Sequence, residues 1–170
     1  GLNALDGIRC ERVFAPNKDF EAFLKQRKVP LYTLETGMPL KTLDMLAFSI
    51  GYELGITEVL AMLETGGISL TVQERTEDEP LVIAGGCGVT NPAPIADFFD
   101  AVMIGEAEDE LFNLTKELRD LKKNGASRKQ LLDHIESKPY MWTRNSCSEG
   151  KKIARRSVQG NFGLVPSVPS

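Results

Sequence analysis

Apolar residues along this chain follow two rhythms: short unbroken runs, and longer stretches in which they recur every three or four positions. Leu81–Ala84 and Ala101–Ile104 are runs of the first kind, each ending in glycine and followed by residues suited to starting a helix. Leu43–Ile50 is a third such run, apolar enough to lie centrally in a sheet. Unbroken apolar strands are expected where a sheet is covered on both faces. A strand, a glycine turn and a helix start make up the unit of a parallel α/β sheet, whose ligand sites lie beyond the carboxyl ends of the strands. The sequence therefore predicts an α/β fold.

Helical spacing marks the segments between these runs. Asp19 is placed to cap a helix reaching Lys28, with Phe20, Phe23 and Leu24 on its buried face. Val59, Leu60 and Leu63 give a helix over Thr57–Thr65, closed by Gly66-Gly67. Leu111, Leu114, Leu118 and Leu121 stripe the longest one, Ala107–Lys123, ended by Asn124-Gly125, and Ser127 caps Arg128–Glu136. Gly1–Gly7 reads as the tail of a helix, and Arg9–Ala15 as a strand stopped by Pro16. Arg75–Pro80 reads as a charged surface loop. Past Pro139 the pattern weakens: Tyr140–Arg144 and Lys151–Val158 suit two strands of a hairpin across Asn145–Gly150, and Gly163–Ser170 suits a linker.

Length and composition narrow the class. At 170 residues, 42% apolar and 26% charged, the chain suits one well-buried domain with a small appendage. A net charge of −4 gives no basic face for nucleic acid. No apolar run approaches the roughly 20 residues that span a bilayer, and no signal peptide opens the sequence. Cys10, Cys87 and Cys147 are odd in number and scattered, which predicts a reducing cytoplasm rather than a disulfide framework. No two of them have CxxC spacing. The single histidine, His134, falls in a polar helical stretch and reads as a surface residue.

Candidate chemistry gathers at the strand ends. Gly85, Gly86 and Gly88 let a backbone turn tightly or approach a ligand closely, or else simply turn the chain. Thr90 and Asn91, before Pro92, either present donors above the sheet or cap the short helix that follows; their type favours capping. Gly105-Glu106-Ala107-Glu108 sets a glycine at a helix start, where the flanking glutamates disfavour a phosphate and suit hydroxyls, amides or a cation. Ser49, Gly51 and Tyr52 supply a hydroxyl, a turn and an aromatic face at a third strand end. Cys87 reads as a reactive thiol or, more readily, as a small buried residue. No nucleophile–base pair is present, which disfavours hydrolytic triad chemistry.

The order Phe48-Ser49, then Ala84-Gly85-Gly86-Cys87-Gly88-Val89-Thr90-Asn91-Pro92, then Ile104-Gly105-Glu106-Ala107-Glu108 resembles the cobalamin-binding-type domain at the front of many radical S-adenosylmethionine proteins. Arg12–Pro16, Leu34–Thr36, Phe48–Leu54 and Asp97–Ala101 look closer to an uncharacterised branch of it, the Fe–S oxidoreductases. The resemblance covers roughly Leu2 to Lys123. It implies a flavodoxin- or Rossmann-like, mostly parallel sheet over residues 1–125. Residues 126–170 would then hold a helix, a hairpin and a linker toward a catalytic barrel of the same polypeptide that lies outside this segment. It also implies cobalamin as candidate cofactor, its corrin ring held by Ser49, Gly51, Tyr52, Gly85, Gly86, Cys87, Gly88, Thr90, Asn91, Gly105, Glu106 and Glu108.

Departures from that family limit what is implied. The CxxxCxxC motif is absent, so the 4Fe–4S cluster and S-adenosylmethionine are expected only in the barrel. The Asp-x-His-x-x-Gly motif is absent too, so cobalamin would bind without a histidine ligand. An alternative reading is a cofactor-free docking or scaffold domain of the same enzyme. The family's first strand is expected to precede Gly1 and to lie between Arg9–Ala15 and Leu43–Ile50. Its absence would open a sheet edge, to be closed by a strand of a second copy, giving a homodimer, or by Lys151–Val158.

Overall fold

Three apolar runs become three neighbouring strands, β1 (Met45–Ser49), β2 (Leu81–Gly85) and β3 (Ala101–Met103), in a computed structural model that describes residues 1–148 and 156–158. They are parallel, with register from Met45↔Leu81 to Ser49↔Gly85 and, between β2 and β3, Ile83↔Ala101 and Ala84↔Val102. A two-residue strand, β4 (Met141–Trp142), runs antiparallel to β3 and completes the order β1-β2-β3-β4. The helices are α1 (Lys18–Arg27), α2 (Gly55–Gly66), α3 (Glu110–Lys123), α4 (Arg128–Ser137) and α5 (Arg144–Ser148). The result is α/β, with a mostly parallel, Rossmann-like sheet. Among the described residues no helix is long and apolar enough to cross a membrane.

Alternation along the strands explains why the runs are unbroken. Leu46, Val82, Ala84 and Val102 face a core shared with Leu24 of α1 and Val59, Met62 and Leu63 of α2. Leu81, Ile83, Ala101 and Met103 face the other side, against Leu114, Leu118, Leu131, Ile135 and Met141. β2 and β3 are covered on both faces, so each of their positions must be apolar up to the glycine, whereas Ala47 and Ser49 of β1 are exposed. α4 and β4 thus complete the second core layer.

Several elements depart from the sequence-based expectation. Arg9–Ala15 joins no strand of the sheet: Arg9, Cys10, Arg12 and Phe14 are exposed, and Val13 packs on the core. Polar side chains hold the segment instead. Glu11 accepts hydrogen bonds from Thr33 Oγ1 (2.5 Å) and Thr36 Oγ1 (2.7 Å), and Arg12 pairs with Glu35 at 2.7 Å. The two hydroxyls, with Arg9 beside them, hold the Glu11 carboxyl below its ordinary range. The sign follows: a depressed acid contributes its stability fully above the unfolded pKa of about 4.3, and loses it as pH falls through the lower folded value. Glu11→Gln is therefore expected to be less stable than the parent at neutral pH and to converge with it in acid, as thermal melts across pH would read.

Asn17, not Asp19, caps α1, its side chain accepting from the Phe20 amide at 2.9 Å, while Asp19 sits in the first turn. Leu2–Ala4 is a single 3-10 turn beside α3, where Arg119 donates to the Asp6 carbonyl. α3 begins at Glu110, leaving Glu106 and Glu108 in the loop before it. Ser127 caps α4 as expected, with Gln130 reciprocating. Of the expected strand Tyr140–Arg144 only Met141–Trp142 is strand, β4, and helix α5 begins at Arg144 where a hairpin turn was expected. Lys151–Arg155 and Gly163–Ser170 lie outside the described residues. The described end of the second hairpin strand, Arg156–Val158, pairs in parallel at Gly105, next to β3, rather than along β1. β1 pairs with β2 alone among the described residues.

Candidate functional site

β1, β2 and β3 finish side by side. Ile50 N donates to the Gly85 carbonyl at 2.8 Å, and loops 49–54, 85–92 and 104–108 therefore share one rim of the sheet. All twelve residues expected at the site belong to these loops, so the parallel topology brings them to one end of the molecule.

The glycines of the rim are spent on chain-to-chain contact. Gly86 has φ +107°, and a Cβ there would lie 2.5 Å from the Ile50 carbonyl oxygen. At Gly88 it would lie 2.6 Å from the Tyr52 nitrogen, and the Gly88 amide donates to Ile50 O at 2.9 Å. Gly105, with φ +109°, is crossed by residues 156–158: a Cβ there would lie 2.5 Å from Ser157 N. Ser157 N donates to Ile104 O at 2.9 Å and Glu106 N to Ser157 O at 3.0 Å. Val89 is fully buried, part of the core that also holds Ile50, Val59 and Ala84. The space that missing side chains vacate is taken by backbone, which is why these positions require glycine. Gly85 and Gly51 are under no such pressure: a Cβ on Gly85 would make ordinary contact with Met103 at 3.8 Å, and one on Gly51 would meet open space.

The polar residues behave differently from what their types suggested. Thr90 Oγ1 folds back onto the Cys87 carbonyl at 3.2 Å, and the 3-10 turn Ala93–Ile95 starts at Pro92 without a side-chain cap. Asn91 and Ser49 are exposed on the rim. Cys87 is exposed rather than buried, its thiol donating to the Gly51 carbonyl at 3.1 Å. Glu106 is half-buried with its carboxylate 3.8 Å from the Arg156 guanidinium, and Glu108 is exposed. Among the described residues no group of three His, Cys, Asp or Glu side chains could hold a metal ion.

Tyr52, Leu54 and Val158 stand 57%, 76% and 66% exposed around this rim. Sequence reasoning named Tyr52 and missed the other two. Leu54 was readable as a lone apolar residue in the turn Gly51-Tyr52-Glu53-Leu54-Gly55, whereas nothing local connects Ser157 and Val158 with Gly105.

One groove, of about 410 Å³, lies on the α3–β4 flank, lined by Glu110, Asn113, Lys116, Glu117, Lys138 and Tyr140, and contains none of the strand-end residues. Glu117 and Lys138 are already engaged. Glu117 pairs with Lys138 at 2.5 Å and with His134 at 2.9 Å, contacts that hold its carboxyl below the usual range, Lys138 first. His134 thus serves the α3–α4 contact.

A family model for the N-terminal region of radical SAM proteins matches residues 1–143. The chain belongs to that family, and is an accessory domain of a radical SAM protein. No curated protein and no solved structure matches it.

Proposed function

We propose that this domain docks its strand-end rim against the catalytic barrel of the same polypeptide and holds no cobalamin there. The observation that carries this reading is the contact of Gly86 and Gly88 with the Ile50 and Tyr52 backbones. A corrin ring needs an open floor of small residues, and here Gly86 and Gly88 are closed over by main chain. The residues present therefore fit the ring poorly, and no step of the chemistry is assigned to it. What the rim offers instead is apolar surface, Tyr52, Leu54 and Val158, among the carboxylates of Glu53, Glu106 and Glu108. Exposed apolar residues rimmed by charge suit a protein contact. The three scattered cysteines lack the spacing of a cluster motif, so the cluster, the S-adenosylmethionine and the radical step fall to the barrel.

Two measurements on the intact protein test this. Cobalamin added to saturation, followed by its visible spectrum, is expected to leave that spectrum unchanged. Leu54→Asp is expected to raise amide exchange in the barrel surface facing the rim while leaving β1 to β3 protected. A spectral shift on adding cobalamin would overturn the reading in favour of a corrin site.

A further inference from the structure

The outward face of α1 carries an acid, an aromatic ring and a base in one line. Asp19, Phe23 and Arg27 follow one another at i, i+4 and i+8, which stacks them along a single stripe of the helix, about 6 Å apart. Phe23 is half exposed, the Phe20 ring stacks on it with centroids 6.5 Å apart, and the Arg27 guanidinium lies 5.5 Å from its centroid. Asp19 and Arg27 are exposed and, among the described residues, form no ion pair. The other charges of the helix are placed elsewhere: Lys25, on the opposite flank, pairs with Glu21 at 2.8 Å and with Glu64 of α2 at 2.7 Å.

This stripe is complementary to itself when reversed. Phe23 lies midway between Asp19 and Arg27, so a two-fold axis through Phe23 and perpendicular to the helix sets each Asp19 opposite the Arg27 of the other helix and the two Phe23 rings against each other. Antiparallel helices also oppose their dipoles, with acidic residues in the first turn facing basic residues in the last. An interface in which one patch meets its own copy is the defining property of a two-fold dimer.

We propose that the occupant of the α1 face is a second copy of this chain, joined by antiparallel α1–α1 contact with reciprocal Asp19–Arg27 pairs around a Phe23–Phe23 centre. The contact is small, of the size class of weak and transient associations. It is separate from the strand-end rim and independent of what that rim binds.

Sedimentation of the intact protein over a wide concentration range is expected to show a monomer–dimer equilibrium that weakens with salt, because the pairs are exposed. Asp19→Arg and Arg27→Asp each turn two symmetry-related attractions into repulsions and are expected to raise the dissociation constant about ten-fold or more. The double variant, Asp19→Arg with Arg27→Asp, restores opposite charges and is expected to dimerise like the parent. Should a reversal unfold α1, seen as lost helical dichroism, Phe23→Gln takes its place: loss of the dimer supports the proposal and persistence overturns it. A protein monomeric at every concentration, a dimer indifferent to both single reversals, or a double variant that fails to re-associate overturns it as well.

Discussion

Asp100→Ala is expected to lower the unfolding free energy by about 3–5 kcal/mol, the cost of stranding buried charge. Asp100 lies just before β3 with its side chain fully buried, beside Arg75 (0% exposed) and Arg128 (8%). Its Oδ2 accepts from the Val82 amide at 2.7 Å and from Arg128 Nη2 at 2.7 Å, with Arg75 Nη1 3.4 Å away. Arg75 spends its other donors on the carbonyls of Ser69, Leu70 and Phe98, which ties loop 69–80 to the bottom of the sheet. Burial pulls the Arg75 pKa down and the Asp100 carboxylate pushes it back up, so removing that carboxylate takes away the larger of the two acids, with Glu79, that offset the penalty. Asp100→Asn keeps the shape while removing the charge, and is expected to retain most of the loss. Denaturant unfolding reads both as a lower midpoint at unchanged slope. A loss under about 1 kcal/mol would mean that water, not the carboxylate, satisfies the two guanidiniums.

Gly86→Ala is expected to cost about 2–4 kcal/mol, combining a left-handed backbone with a forced clash. The new methyl would meet the Ile50 carbonyl, which is itself fixed by the Gly88 amide. Gly88→Ala carries only the clash with the Tyr52 backbone and is expected to cost about 1–3 kcal/mol. These losses belong to the protein without any ligand. If the glycines served ligand approach instead, Gly88→Ala would leave the unliganded protein as stable as the parent and change only binding. Thermal or denaturant unfolding of the ligand-free variants separates the two.

β2 and β3 were legible because a buried strand has one solution, apolar at every position and then glycine where the chain must turn, whereas β1, expected to lie centrally, borders the sheet among the described residues. Leu81–Ala84 and Ala101–Met103 meet that demand locally, and the shared rim follows from parallel order alone. Arg9–Ala15 failed because it meets the 34–35 segment through one backbone bond, Leu34 N to Arg12 O, and no ladder, and pairing is a property of two segments. Arg75 was hidden for the opposite reason. A charged loop reads as solvated, yet the carbonyls of residues 69, 70 and 98 gather around a point that the Arg75 guanidinium satisfies through Nε and Nη2. The glycine turn was visible as a turn, but whether ligand or main chain fills the vacated volume depends on Ile50, Tyr52 and Ser157, which are 36, 36 and 52 positions from their glycines.

The sheet's two borders differ in kind. On one side β4 runs against β3 and uses its hydrogen-bonding groups. On the other, the bonds from Leu81 N to Asp44 O and from Ile50 N to Gly85 O fix the alternation of β1, so the amides and carbonyls of Met45, Ala47 and Ser49 point away from β2. No proline or charged side chain interrupts that stretch, which are the usual guards against strand addition. Along this border an added ribbon, from this polypeptide or another, would make its first contacts with main chain, indifferent to the newcomer's sequence.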